Sequence, residues 1–434
     1  MIGFVAALAA LLYCFVWLRP PELGGVALPV QRVLGWTALT LLLIRMLIKG
    51  PLTARAAARN YLWWVAAFGT FLLLMFVRQL AYGENFFPLY FVMDLSKYAA
   101  AFAMAYLCYY ALAAGLVSEN RMIRFMIYSG VAATVLVYVF LALYLAGFRT
   151  ESQLIAPTFG SALGVWPTDA FLPRLAGPTA EPQQLSVALL TPVLLMLSPG
   201  HLRRFWPAGL LAAAALLLSQ SKFALISLLV VGLYLMVVYP RARVPLGLAG
   251  LLMIPIVGAF LLQLPTLRDT LQSGLSAGAF VERLGNLLLL VGIIREHPFV
   301  GIGAGHYGVY RGQVVFGDAM YDPGYTPNMD FLKVFAETGV MGFVLLLLLL
   351  GFLVRRFIRG YEVVPAEARP TYLALLLGAL TIMLNMSIGY ELLHAFFWIN
   401  VGMLLYYVDW SRSRGTRMLP DSPPSWSVAP AGDA

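Results

Sequence analysis

Apolar residues run through the chain in long stretches, and polar residues collect between them. Stretches long enough to cross a hydrocarbon core as a helix, about twenty residues, centre on Ala9, Leu41, Ala67, Phe102, Val135, Val193, Ala212, Leu229, Pro255, Leu346, Leu377 and Trp398. The pattern predicts twelve transmembrane helices. The stretch at Ala9 opens at Met1 with no basic segment before it, so it reads as a span rather than a cleavable signal peptide. Only Ser219-Gln220-Ser221-Lys222 separates the stretches at Ala212 and Leu229, which predicts a tight helical hairpin.

Composition agrees. The 434 residues are 61% hydrophobic and 11% charged, with a mean hydropathy of +0.83. Soluble domains carry about 45–50% apolar and about 25% charged residues. A soluble enzyme, a disordered chain and a nucleic-acid-binding domain are excluded. The net charge of +9 comes from short basic clusters between apolar runs. Lys49, Arg55 and Arg59; Arg121 and Arg124; Arg203 and Arg204; Arg241 and Arg243; Arg355, Arg356 and Arg359; and Arg412, Arg414 and Arg417 fall on alternate loops. By the positive-inside rule that side is cytoplasmic, with both termini on it. The expected architecture is an all-α polytopic membrane domain over residues 1–410. It carries two long periplasmic loops at 149–184 and 265–328, and a cytoplasmic disordered tail over 411–434. Cys14 and Cys108 lie in apolar stretches, so no disulfide framework is implied. Four scattered histidines show no zinc-site spacing, and no Asp-X-Asp occurs. Neither a metal nor another cofactor is expected.

The outer loops concentrate charge and aromatic residues against the positive-inside rule, as a site would. In the first, Pro182 suits the first turn of a helix and places Glu181 at its N-cap, as a cap or as a catalytic group. Arg174, a few residues upstream, can fold back as a bidentate clamp or touch a phospholipid headgroup. In the second, Arg283 and Arg295 flank Leu287 to Ile294, an apolar segment too short to span. It reads as an interfacial or packed helix ending before Pro298. Gly301, Gly303, Gly305 and Gly308 then allow close backbone approach to a ligand, and no βαβ context supports a dinucleotide site. His306 fits a proton shuttle or a structural hydrogen bond. The next helix is expected to start with Thr326 as N-cap and Pro327 at the first position. It is expected to run to about Val354, with its first turns protruding outward. Lys333 and Glu337 can pair within it, and Thr338 to Gly342 form a small-residue packing face. Asp94 and Lys97, three apart in the fourth span, read as a self-satisfied ion pair. Arg295, Arg311 and Lys222 are further candidates for binding an anionic substrate.

The run Arg283 … His297-Pro298-Phe299-Val300-Gly301-Ile302-Gly303-Ala304-Gly305, an outer loop, then Asn328-Met329-Asp330-Phe331-Leu332 … Glu337-Thr338-Gly339-Val340-Met341-Gly342 resembles the O-antigen polymerase and O-antigen ligase superfamily. The Arg174 … Gly177 … Glu181-Pro182 stretch is similar to the first long outer loop of these proteins. The resemblance implies a metal-independent glycosyl transfer at the periplasmic face of a bacterial inner membrane. The donor would be a glycan on undecaprenyl diphosphate and the acceptor another glycan. Positions matching Arg174 and Arg283 would engage the diphosphate, and Asn328 opens the late motif. Ligases of this family carry a histidine immediately before that asparagine. Here Pro327 stands there, which favours a polymerase of O-antigen or exopolysaccharide repeats over a ligase that transfers the glycan to lipid A-core. Membrane lipids, a flippase and a chain-length regulator are the implied surroundings and partners.

The chemistry fits. A departing diphosphate gathers negative charge, and preorganised arginines stabilise it more in the transition state than in the ground state. The acceptor hydroxyl needs a base, for which Glu181 stands first, with His306 and Glu337 behind it. A transporter of polysaccharide or lipid-linked sugar is the rival reading. It would place its charges at mid-membrane, whereas these lie in outer loops.

Overall fold

The computed structural model describes residues 1–15, 30–50, 54–82, 86–146, 165–166, 174–179, 181–244, 247 and 278–417. Helices dominate. In chain order they are α1 (Ile2–Leu11), α2 (Val30–Lys49), α3 (Ala56–Tyr82), α4 (Pro88–Ala113), α5 (Glu119–Leu145), α6 (Pro182–Met196), α7 (Pro199–Leu218) and α8 (Lys222–Val238). After these come α9 (Gly278–Glu296), α10 (Tyr307–Arg311), α11 (Asp330–Val363), α12 (Arg369–Asn385) and α13 (Ala395–Arg417). A short antiparallel pair, β1 (Val165–Trp166) and β2 (Arg174–Leu175), aligns Trp166 with Arg174.

Proline opens α4, α6 and α7 at their first position, where its missing N–H costs no hydrogen bond. Ser221 caps α8 by accepting from the Ala224 N–H, so the hairpin after α7 forms as its sequence predicts. Five helices are long and apolar enough to cross a membrane: α2, Ala56–Ala81 of α3, α4, α5 and α11. The protein is therefore an all-α, multi-pass membrane protein in its described part. The apolar stretch at Pro255 lies outside the described residues. The stretches at Ala9, Val193 and Leu229 fold as shorter helices of 10, 15 and 17 residues. In α6 every residue from Gln184 to Met196 is buried. It is sheathed by α5, α7, α8 and α12, so its apolarity serves the protein interior.

α4 is the axis of the rest, packing along α13 and α2. Trp398 of α13 is fully buried, its ring edge-on to Phe102 at 4.7 Å. Aromatic pairs of this geometry add about 0.5–1.5 kcal/mol beyond the area they bury. Of the two expected long loops, most of the first lies outside the described residues. The second contains α9, which ends at Glu296 before Pro298 as its sequence predicts and packs on α11. α13 continues to Arg417, past the tail boundary expected at Trp410.

Three further expectations are corrected. α11 starts at Asp330, with Met329 at its N-cap, rather than at Pro327. The Asp330 N–H donates to the Gly389 carbonyl at 3.0 Å, and its carboxylate accepts from the Leu392 N–H at 2.7 Å. The turn before α13 thus fixes where α11 begins. α11 also runs on to Val363 rather than ending near Val354, and its first turns are packed inside the protein, with Asp330, Lys333 and Glu337 all buried.

Candidate active site

Residues from the starts of five helices line one cavity of about 400 Å³. Arg32 sits at the start of α2, Lys97 in the first turns of α4, Glu181 at the N-cap of α6, Asp330 at the start of α11, and His394 immediately before α13. Helix N-termini carry positive partial charge and favour anions.

Glu181 is the N-cap residue of α6, yet its side chain makes no capping bond. Asn328 and Tyr390 lie within polar reach of its carboxylate, and Arg174 and Arg283 within electrostatic reach. Burial raises its pKa above the ordinary glutamate value, and Asn328, the two arginines and Tyr390 pull it partly back. Arg174 is held by β2, whose partner strand and turn seat it upstream of Pro182. Its Nε is buried with no hydrogen-bond partner among the described residues. Burial, and next the charge of Arg283, lower its pKa from the ordinary arginine value. The charges of two guanidinium groups thus act on the one Glu181 carboxylate. Arg283, on α9, is exposed.

Beneath the cavity lies an ion network. Lys333 bridges Asp94 of α4 at 3.1 Å and Glu337 at 3.6 Å, and Lys97 reaches the other oxygen of Asp94 at 2.6 Å. The two pairs read separately from sequence are one buried unit that ties α4 to α11. Glu337 is not brought to the cavity. Its carboxylate accepts from the Tyr307 N–H at 3.1 Å and so anchors α10.

The glycine-rich segment after Pro298 is explained by the same neighbourhood. Gly339 breaks α11 with φ +65°, and a Cβ there would stand 2.3 Å from the Phe299 backbone. A Cβ on Gly301 would meet the Glu337 backbone at 2.4 Å. Two backbones cross in contact, sealed by Ile302 N–H to Ala336 O at 3.1 Å, Gly303 N–H to Glu337 O at 2.9 Å and Val340 N–H to Pro298 O at 2.8 Å. The close approach predicted for this segment is made to the protein's own backbone: at Gly301 to α11, at Gly305 to Tyr90 of α4 and at Gly308 to Pro323.

His306 has both ring nitrogens engaged. Nε2 accepts from the Phe87 N–H at 3.0 Å, which leaves Nδ1 to donate to the Ala304 carbonyl at 3.0 Å. Burial lowers its pKa, and its ring stacks on Phe86 at 4.9 Å. Arg311 lies over the Tyr325 ring at 4.0 Å, behind the cavity wall that Tyr325 helps to form. Lys222 is exposed at the start of α8. Its hairpin is held to the start of α6 by Ser186, which meets Ser219 at 2.8 Å and Ser221 at 2.7 Å. Arg295 is exposed at the end of α9, away from the residues that line the cavity.

Sequence reading passed over Tyr390, His394, Arg32 and Asp330. Tyr390 is buried, with its pKa raised by burial and then by the charges of Glu181 and Glu391. The neutral His394 accepts from Gln184 across 3.1 Å, its pKa pushed down to about 3 by burial and by Arg32. The available signal was the cluster of Tyr390, Glu391 and His394 at the mouth of a span, together with an arginine on the outer end of α2.

Residues 207–347 match the family model described as O-Antigen ligase, which supports the resemblance to the O-antigen polymerase and ligase superfamily. The matched region contains Arg283, Asn328 and the crossing of Gly301 with Gly339, and stops short of Arg174 and Glu181 on its N-terminal side. No curated protein matches the chain. A chain from a solved structure described as "Structural coordination of polymerization and crosslinking by a peptidoglycan synthase complex" aligns at 16% identity and a TM-score of 0.42. It covers 81% of this chain and 97% of that one.

Proposed function

We propose that the protein is a membrane glycosyltransferase that moves a glycan from a polyprenyl diphosphate, of the undecaprenyl type, to a glycan acceptor, without a metal ion. The observation that carries this is the positive charge gathered around Glu181: Arg174, half-buried and with a buried, unpartnered Nε, lies with Arg283 within electrostatic reach of that carboxylate. Two like charges near one another are costly without an anion between them, and a diphosphate supplies it.

In the reaction the acceptor hydroxyl attacks the anomeric carbon of the donor. Its proton passes to the Glu181 carboxylate as the bond from that carbon to the diphosphate oxygen breaks. The electron pair leaves on the polyprenyl diphosphate, and the two guanidinium groups hold the charge that develops there. Asn328 and Tyr390 keep the carboxylate oriented. His306 and Glu337 belong to the scaffold in this account.

The favoured reading is polymerisation of lipid-linked repeats, because Pro327 replaces the histidine that the resemblance leads one to expect in a ligase. A ligase is the second reading, favoured by the description of the matching family model. The surface glycan of a deletion strain separates them: one repeat per acceptor indicates a polymerase, and full-length chains left on the lipid indicate a ligase. Arg174→Lys and Arg283→Lys keep the charge and lose the planar fork, so lysine should rescue poorly. Each loss of a charged hydrogen bond, about 1.5–3 kcal/mol, lowers the rate roughly tenfold to a hundredfold. Arg241→Lys is the matched control and should be nearly silent. Wild-type chain lengths from normally expressed Arg174→Ala and Arg283→Ala would show that these arginines are not the clamp.

A further inference from the structure

Beyond α10 the chain makes an excursion that takes no part in the proposed transfer. Gly312–Phe316 forms one wide helical turn, and Gly317 ends it in the left-handed conformation at φ +70°. The chain then folds back on itself. The Asp318 N–H donates to the Gly312 carbonyl at 3.2 Å, and the Tyr321 N–H to the Asp318 carbonyl at 3.1 Å. The Asp318 carboxylate accepts from the Met320 N–H at 2.8 Å. A Cβ on Gly312 would stand 2.5 Å from the Asp318 carbonyl oxygen, so the two arms close only on glycine. The excursion has a fixed shape.

Its outer face is apolar. Val314, Val315, Phe316, Met320 and Tyr321 are each between 44% and 57% exposed. Single exposed apolar residues are ordinary, but a contiguous group marks an interaction surface. The rings of Phe316 and Tyr321 pack at 4.1 Å, so the two arms present one patch.

The neighbours of the patch set its depth. Gln313 and Val314 border the same cleft as Arg78 and Gln79, which sit near the end of the span Ala56–Ala81. At 1.5 Å per residue, Arg78 is about 5 Å from the end of that span. Val77 and Leu80 beside it are exposed apolar side chains, so the patch continues the lipid-facing side of α3 where hydrocarbon gives way to headgroups. Interfacial segments seat about 5–10 Å into that boundary, and aromatic residues are enriched there. The charges suit the same depth. Arg311 lies over the Phe316 ring at 5.0 Å, and Arg78 is exposed across the cleft. Both are cations on apolar stems, suited to phosphate headgroups. Asp318 and Asp322, at and after the bend, keep the seat shallow.

We propose that residues 313–321 form an interfacial foot, with Val314, Val315, Phe316, Met320 and Tyr321 seated in the phospholipid of the outer leaflet against α3. Arg311 links the foot to the active-site cavity, because its guanidinium lies over Phe316 and over Tyr325 of the cavity wall. The foot needs only the membrane fold and stands whatever the site catalyses.

The test reads depth at two positions of the full chain in phosphatidylcholine nanodiscs. Val315→Cys and Met320→Cys each carry a nitroxide, while the native Cys14 and Cys108 are buried. Power saturation compares collisions with oxygen, which partitions into lipid, and with a water-soluble nickel chelate. Val77→Cys on α3 gives the lipid reference, and Glu367→Cys, exposed in the loop after α11, gives the water reference. All four positions are on the surface, so the variants should melt like wild type. Nitroxides at 315 and 320 should lose nickel collisions relative to position 367 and gain oxygen collisions toward the level at position 77. Nickel collisions equal to those at position 367 would place the segment in water and overturn the foot. Loss of both kinds of collision would show protein over the patch, a second copy or a partner, and would overturn it as well.

Discussion

Glu181 sits where opposing effects on a carboxylate meet. Burial raises its pKa, and the two arginines lower it. A general base must be ionised, so activity should fall as pH drops through that raised value. The acid limb of kcat/KM is thus expected above the ordinary glutamate pKa of about 4.3. Glu181→Gln should lower kcat by about a hundredfold to ten-thousandfold and abolish that limb. Arg174→Lys should leave the limb in place, and residual turnover in Arg174→Ala should show it moved to higher pH. An unchanged pH profile in Glu181→Gln would remove it as the base. His306 makes the opposite prediction. A histidine with both nitrogens engaged carries no proton to substrate, so His306→Gln should lower stability by about 1–3 kcal/mol of lost bonding, and leave the acid limb where it was. Loss of a limb in normally folded His306→Gln protein would restore the shuttle. Pro182 and the charges of Arg174 and Glu181 marked the end of the first outer loop in the sequence, and Asn328 came from the family resemblance. Tyr390 and His394 were not, because they reach the cavity only through the packing of α13.

At the scale of elements, the break in α11 organises the second half of the chain. The sequence showed a run of glycines, which alone suggested a ligand cradle, and a long apolar helix, whose small-residue face suggested packing on another helix. Only the crossing explains both, because Gly339 and Gly301 occupy the contact from opposite sides. Gly339→Ala combines a positive φ with a Cβ inside the Phe299 backbone. Strain of about 1–3 kcal/mol adds to overpacking of similar size. The variant should be degraded or strongly destabilised, whereas Gly351→Ala, on the same helix with open space around it, should be tolerated. Thermal unfolding in detergent compares the two, and equal melting would contradict the crossing. The Asp94–Lys333–Glu337 network makes a parallel case. Lys333→Met leaves Asp94 to Lys97 alone and strips the buried Glu337 of its cation, a loss of about 3–5 kcal/mol by analogy with broken buried pairs. Their partnership across 239 residues of chain was invisible to spacing rules that read each pair alone.

For the molecule as a whole, periodicity and charge alternation specify a multi-pass helical protein, and the described helices agree. What they do not specify is which apolar helices face lipid: α6 is as apolar as a span and lies in the interior. Reporter fusions after Arg59, Arg124 and Arg204 should read cytoplasmic, and fusions near Asp169 and Asp318 periplasmic. A cytoplasmic signal at Asp318 would place the cavity on the wrong side for a lipid-linked glycan exported to the periplasm. The central claim is that arginines, not a metal, carry the leaving diphosphate. It is tested most directly by release of undecaprenyl diphosphate from a purified lipid-linked glycan donor, with and without chelator. Wild-type protein should turn over equally in both, while Arg174→Ala and Arg283→Ala should lose tenfold to a hundredfold in each. Loss of wild-type turnover in chelator, restored by magnesium or manganese, would contradict the account.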